Sequence, residues 1–242
     1  MRILKNGASR YVWMNIQLTK SRVLLFLILF LFAFILSVMK FPYAIFGFIM
    51  IPVAYLLLIY SYRKLIEWSS GIKGEEIIMK ELKKLDDSYY LISGVVIAPN
   101  RGDTDHIVIG RNGIFVIETK NYGGEIECDG DEWRRYKISR QGRKYKLKIG
   151  SPSNQVKRNA KALKDLILRH REKIFRRRMP HIWIDSILIF TNENAKLHLR
   201  NPTVNVLDVG ELCEFIMNRE SEFRLDDEEV ENIARLILKY GK

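Results

Sequence analysis

Cysteine is nearly absent. Cys128 and Cys213 stand alone in 242 residues, with no C-x-x-C pair. They assemble neither a zinc site nor a disulfide framework, and two isolated thiols suit a reducing compartment. The four histidines (His106, His170, His181, His198) are scattered and show no H-E-x-x-H spacing, which excludes that type of metal helix. Internal repeats and low-complexity segments are also missing. Acidic residues are scarce in two stretches. Residues 1–67 hold one acid against eight Lys and Arg, and residues 134–178 hold two against eighteen, within an overall charge of +12. The intervening residues 68–133 and the end of the chain, 201–242, are net acidic. The two basic blocks have different neighbours and need separate explanations.

Charge is missing altogether from two long runs. Val23 to Met39 ("VLLFLILFLFAFILSVM") has 17 residues and Tyr43 to Tyr60 ("YAIFGFIMIPVAYLLLIY") has 18. Each is long enough to span a hydrocarbon core as a helix. Pro42 stands where it starts the second helix, Pro52 falls inside it, and Tyr43, Tyr55, Tyr60, Tyr62 and Trp68 lie near the ends as interfacial aromatics would. A cleaved signal peptide fits poorly, because the apolar region is too long and no small-x-small site follows. Arg2, Lys5, Arg10, Lys20 and Arg22 precede the first run and Arg63 and Lys64 follow the second, with only Lys40 between. The positive-inside rule then puts both termini in the cytoplasm, with two spans in the inner membrane. The first basic block is a topology signal. The expected division is a basic N-terminal segment (1–22), two spans (23–39 and 43–60), a linker (61–73), a soluble domain (74–200) and a C-terminal strand with acidic helices (201–242).

From Gly74 the pattern changes. "GEEIIMKELKKL" has helical spacing, and residues 89–97 read as a strand. Two apolar runs around Asn112-Gly113 read as a hairpin. "GGEIECDGDEWRRY" and "RKYKLKI" read as short strands. A long helix follows from Ser151, capped by Ser151 or Ser153 with Pro152 near its start. Residues 182–190 and 204–209 read as strands, followed by helices over 210–219 and 226–240. This order gives an α/β or α+β domain with a mixed central sheet.

The hairpin "DHIVIGRNGIFVIETK" carries charge at its ends. A two-residue loop at Asn112-Gly113 sets Asp105 opposite Lys120 and puts Asp105, Glu118 and Lys120 on one face, at the open end of the unit. The residues between are apolar on both faces, as in a strand pair covered on both sides. Two carboxylates on one side suit a hard divalent cation such as Mg²⁺. A lysine beside them can orient water or neutralise charge on phosphorus. The same spacing also fits a cross-strand Asp105–Lys120 ion pair at a sheet margin. The residues alone leave both open.

This string resembles a known family. Asp105 followed by Glu118-x-Lys120 is similar to the PD-(D/E)xK nuclease core. "GEEIIMKEL", "DTDHIVIGRNGIFVIETKNYGGEI", Trp133 and "SPSNQ" together resemble the nuclease-related domain, NERD, over roughly residues 70 to 190. The resemblance implies a restriction-endonuclease-like αβββαβ core. It implies Asp105 and Glu118 as ligands of Mg²⁺ or Mn²⁺, Lys120 as the catalytic lysine, and Glu75 and Gln155 as further site residues. Thr104 stands where the family name has proline, and Ser151-Pro152 replaces the usual Asn-Pro. Read without the resemblance, Glu75 is a helix N-terminal carboxylate favoured by the macrodipole, and Gln155 a solvated first-turn residue.

The second basic block suits phosphate. Arg143, Lys144, Lys146 and Lys148 alternate on an expected hairpin with Tyr145 among them, Lys157, Arg158 and Lys161 lie on the helix, and Arg176-Arg177-Arg178 follow. Nucleic acid, most simply DNA, is the expected partner. Anionic lipid beside an anchored domain, best met by residues 171–178, is the alternative. The sequence thus points to a membrane-tethered nuclease, or to a catalytically silent nuclease fold that binds nucleic acid, lipid or a protein partner at the inner membrane face.

Overall fold

A computed structural model describes residues 1–6, 10–139, 141–175, 182–221 and 224–242. In chain order the elements are β1 (Arg2–Lys5), α1 (Arg10–Ser37), α2 (Tyr43–Leu82), β2 (Tyr90–Val95), β3 (Thr104–Gly110) and β4 (Gly113–Lys120). Next come β5 (Gly124–Asp129), β6 (Glu132–Ile138), β7 (Lys144–Leu147), α3 (Pro152–Arg169), α4 (Arg171–Ile174) and β8 (Ile184–Phe190). The chain ends with β9 (Ala195–Arg200), β10 (Asn205–Leu207), a single 3₁₀ turn, α5 (Leu212–Met217) and α6 (Asp227–Tyr240). Two compact units result: Arg10–Ile72, and Met1–Ser9 together with Lys73–Lys242.

In the unit Arg10–Ile72, two helices are long and apolar enough to cross a membrane. Their large side chains, among them Leu25, Ile28, Phe32, Phe46 and Leu56, are exposed, the reverse of a soluble core helix. The helices meet through small residues, as helices in lipid do. Ala33 and Ala54 are fully buried. A Cβ built on Gly47 would lie 2.3 Å from the Ser37 amide nitrogen, so glycine is what permits this approach.

The second unit is built on a six-stranded sheet in the order β1-β2-β3-β4-β8-β10. β2, β3 and β4 are antiparallel neighbours, while β8 is parallel to both β4 and β10. This is the mixed sheet expected, with αβββαβ running from the end of α2 to β8. Apolar residues on both faces of β3 and β4 require cover on both sides. Val156, Leu163 and Ile167 of α3 and Ile233 and Ile237 of α6 pack on one face, against Ile107, Ile109, Ile114 and Val116. Ile78 and Leu82 of α2 and Leu212 and Ile216 of α5 pack on the other, against Val108, Phe115 and Ile117.

Several expectations need correction. Residues 61–73 are no linker but the continuation of α2; nothing in "SYRKLIEWSSGIK" breaks a helix except glycine, which costs only about 1 kcal/mol. The segment 1–22 is not merely a basic tail, because Arg2–Lys5 pairs in parallel with β2. The C-terminal segment 201–242 is no separate part: β10 extends the sheet, and α6 closes the core. A second sheet, β7-β6-β5-β9, was not expected, and β9 went unread. Its sequence, "AKLHLR", alternates but holds no β-branched or aromatic residue, and its parallel partner β5 lies some seventy residues earlier. The long helix breaks after Arg169. The run 176–178 and His181 lie outside the described residues.

Candidate active site

The turn joining β3 to β4 is Arg111-Asn112, with Gly110 paired to Gly113. The expected loop was one residue further on. Tertiary bonds set the difference. Asn112 Nδ2 donates to the Ile216 carbonyl at 2.5 Å, Arg111 pairs with Asp227, and the Leu225 amide donates to the Arg111 carbonyl at 2.8 Å. Gly113, at φ +152°, opens the strand, a conformation that favours glycine. The register moves by two residues, which preserves the alternation of faces. Asp105, Glu118 and Lys120 therefore still share a face, the one covered by α3.

The two strands part at this end. The β3–β4 ladder stops at His106 and Ile117, whereas β4 stays paired with β8 as far as Lys120 and Phe190. Asp105 fills the gap. Its Oδ2 accepts the Thr119 amide hydrogen at 2.7 Å, replacing the lost ladder bond. Lys120 Nζ donates to Glu118 Oε1 at 2.5 Å and to Gln155 Oε1 at 3.1 Å. Glu118 is 1% exposed, and its other oxygen, Oε2, is buried without a hydrogen-bond partner. A buried carboxylate oxygen left bare is costly, and a cation would satisfy it. Among the described residues no three of His, Cys, Asp and Glu are gathered as a metal cage. The donor set fits an ion such as Mg²⁺, which binds through one or two carboxylates and keeps several waters.

Burial raises the Asp105 carboxyl well above the usual carboxylate range, and the neighbouring Glu118 adds to this. Burial raises Glu118 too, against the pull of Lys120. Burial alone would lower Lys120, but Glu118 and Asp105 outweigh it and hold the ammonium above its ordinary value. Glu75 is pushed up to about 8, by burial first and then by Asp105 and Asp103. It lies deep inside α2, so the helix N-terminus reading of Glu75 does not hold. Gly74 lets α2 come close: a Cβ there would sit 2.8 Å from Thr191 Oγ1 and 3.3 Å from Thr119 Cγ2. Asp103, whose charge bears on Glu75, Asp105 and Glu118, is a neighbour that sequence reasoning missed. Its signal was Asp103-x-Asp105, a second carboxylate just ahead of β3.

Gln155 is not merely solvated. Ser151 caps α3 by accepting the Asn154 amide hydrogen, and Pro152 occupies the first turn. Ser153, the other expected cap, donates instead to Asp131 Oδ1 at 2.7 Å and accepts Trp133 Nε1–H at 3.0 Å. Lys157 and Thr203 also donate to Asp131. These bonds fix the turn that presents Gln155 and hold the Asp131 carboxyl down at about 2, Lys157 contributing most. The sign follows from linkage. A folded value below the ordinary one gives stability that is present above about pH 4 and is lost as pH falls toward 2. Asp131→Asn should therefore lower the melting temperature at pH 7 and flatten its decline between pH 4 and pH 2. Thermal scans across that window check it.

Residues 70–191 match the family model described as Nuclease-related domain, NERD, half of the chain. The chain belongs to the NERD family. An uncharacterized protein of Bacillus anthracis is 48% identical over 60 residues, covering 23% of this chain. The chain matches 28% of that relative's length. No solved structure matches.

The NERD domain's basic residues differ in their partners. Lys144 is held by Glu125 at 2.6 Å and Glu127 at 3.5 Å, and Lys157 by Asp131 at 2.6 Å. These two are committed within the molecule. Arg143, Lys146, Lys148, Arg158 and Lys161 are exposed. Both cysteines are buried free thiols.

Proposed function

We propose that this chain is a membrane-tethered, divalent-metal-dependent nuclease that hydrolyses phosphodiester bonds in DNA. The observation that carries the reading is the bonded series Glu118–Lys120–Gln155 beside Asp105, with one Glu118 oxygen buried and bare. Asp105 and Glu118 would hold Mg²⁺ or Mn²⁺, with Glu75 or water completing the shell. The bound ion supplies a polarised phosphoryl oxygen and an acidified water. Gln155 and Glu118 each accept one N–H of Lys120, which leaves a third for the scissile phosphate or the attacking water. As a fixed cation, Lys120 neutralises charge that builds on phosphorus. Asp105 holds the parted strands in place through the Thr119 amide.

Anchoring is part of the proposal. β1 precedes the first long helix and β2 follows the second, yet they are neighbours in one sheet. That pairing supports a hairpin whose ends emerge on the same side, and the basic flanks favour the cytoplasm. A second reading, a silent module that binds nucleic acid or anionic lipid, draws support from Lys120 already neutralising Glu118.

The test uses the full chain in detergent micelles, since a fragment starting at residue 70 would lose β1. Plasmid nicking and cutting of linear DNA should require Mg²⁺ or Mn²⁺, stop with chelator, and fall by about 10²-fold or more in Asp105→Asn. Equal activity in both chains, or none on any DNA, would leave the silent module standing.

A further inference from the structure

The two faces of the small sheet differ in charge. Strand alternation and register sort them. On one face Glu125 and Glu127 of β5 and Glu132 of β6 stand among the cations, and Lys144 bonds to the first two. On the other face the pairs Arg135–Leu147 and Lys137–Tyr145 stand side by side, with Arg143 beyond them. Among the described residues, the four strands put no carboxylate on this second face.

That face begins at the candidate site. Trp133, at its inner end, bonds to Ser153, two residues before Gln155. Arg135 is the next residue outward. Its guanidinium lies 4.6 Å from the centre of the Tyr122 ring, and its Nε donates to the Gly123 carbonyl at 3.0 Å. Tyr122 is two residues beyond Lys120. Further out, Lys137 is exposed and Tyr145 is 46% exposed on an edge strand. Tyr145 thus offers part of its ring to solvent directly beside Lys137. Cations set among aromatic rings are what a single nucleic-acid strand needs. Phosphates meet the cations, and unpaired bases stack on the rings. A duplex keeps its bases stacked on each other and uses only the cations.

We propose that this face, from Tyr122 and Arg135 out to Lys137, Arg143 and Tyr145, is a track for single-stranded nucleic acid leading away from the scissile bond. The substrate class is then a strand with an unpaired end or flap. This rests on the nuclease reading for its link to cleavage, but binding tests it separately.

The experiment is fluorescence anisotropy with the full chain in micelles plus chelator, using a labelled single-stranded oligonucleotide and a blunt duplex of the same length. Tyr145→Ala should weaken single-strand binding about 5- to 100-fold, leave duplex binding within about 2-fold, and keep the melting temperature. Tyr145→Phe should bind as the parent does. Lys137→Glu with Arg143→Glu should lower the slope of binding against salt. DNA and RNA oligonucleotides of one sequence distinguish the two sources of such a strand. If the full chain cleaves DNA but Tyr145→Ala binds single strands unchanged, or loses single strand and duplex equally, the track is overturned and the nuclease reading stands. Selective loss in a chain that cleaves nothing supports the track and sinks the nuclease reading. A parent chain that binds no oligonucleotide overturns the track.

Discussion

Replacing Lys120 by methionine should reduce DNA cleavage by about 10²- to 10⁴-fold while leaving DNA affinity within a few-fold. The lysine is bonded to both Glu118 and Gln155, so it is a fixed cation at the site rather than a mobile one. A fixed charge needs no reorganisation as the transition state forms, and its loss is felt in the rate. Affinity should hold, because the exposed cations Arg143, Lys146, Lys148, Arg158 and Lys161 remain to meet phosphates. Methionine keeps the aliphatic bulk but strands Glu118 without its partner. A carboxyl 1% exposed then takes up a proton rather than remain charged, so the fold survives with a lower melting temperature. Lys120→Arg should rescue poorly, since a planar guanidinium does not fill the place of a compact ammonium between two acceptors. Circular dichroism confirms folding, and single-turnover cleavage with saturating enzyme then reads the chemical step. A Lys120→Met chain that cleaves at the parental rate would remove lysine from the mechanism.

Phe115→Ala should be the most destabilising single change in the sheet, at about 3–5 kcal/mol. The ring is fully buried in the middle of β4 and packs with Ile78 and Leu82 of α2, Leu91 of β2 and Ile216 of α5. Its removal leaves a cavity where two helices and three strands meet, and the neighbours cannot all collapse into it. Domain stabilities are only about 5–15 kcal/mol, so the loss is a large share. For a unit of this size it lowers the melting temperature by roughly 10 °C. Phe115→Leu, which keeps most of the volume, should cost about 1.5 kcal/mol or less. Thermal unfolding followed by near-UV circular dichroism checks both. Equal melting temperatures for Phe115→Ala and parent would mean that β4 is not the centre of the core.

How far the sequence could be read depended on the range of the interactions. The apolar runs and the succession of helices and strands came from local period and length, which a single sequence displays directly, while the αβββαβ core came from the resemblance. The shared face of Asp105, Glu118 and Lys120 was legible for the same reason: alternation survives a two-residue change of register. The turn itself was misplaced because Asn112 answers to Ile216 and Arg111 to Asp227, partners about a hundred residues away that no local signal reveals. β1 was missed because it has only four residues and β9 because it lacks β-branched and aromatic residues, and each pairs in parallel with a distant strand. The basic block was read from charge counts, which do not show which cations have acidic partners. Glu125, Glu127 and Asp131 withdraw Lys144 and Lys157 from it, and only the fold brings those acids near. Gln155 came from resemblance alone, and its bond to Lys120 depends on where α3 begins.

Manganese binding, followed by electron paramagnetic resonance on the full chain in micelles, tests the central claim most directly. Mn²⁺ can stand in for Mg²⁺ at an oxygen site. The account predicts saturable Mn²⁺ binding by the parent chain that strengthens with uncleavable DNA. It also predicts loss of that binding in the double variant Asp105→Asn, Glu118→Gln. Identical Mn²⁺ binding in the parent and the double variant, or none in the parent with DNA present, would contradict it.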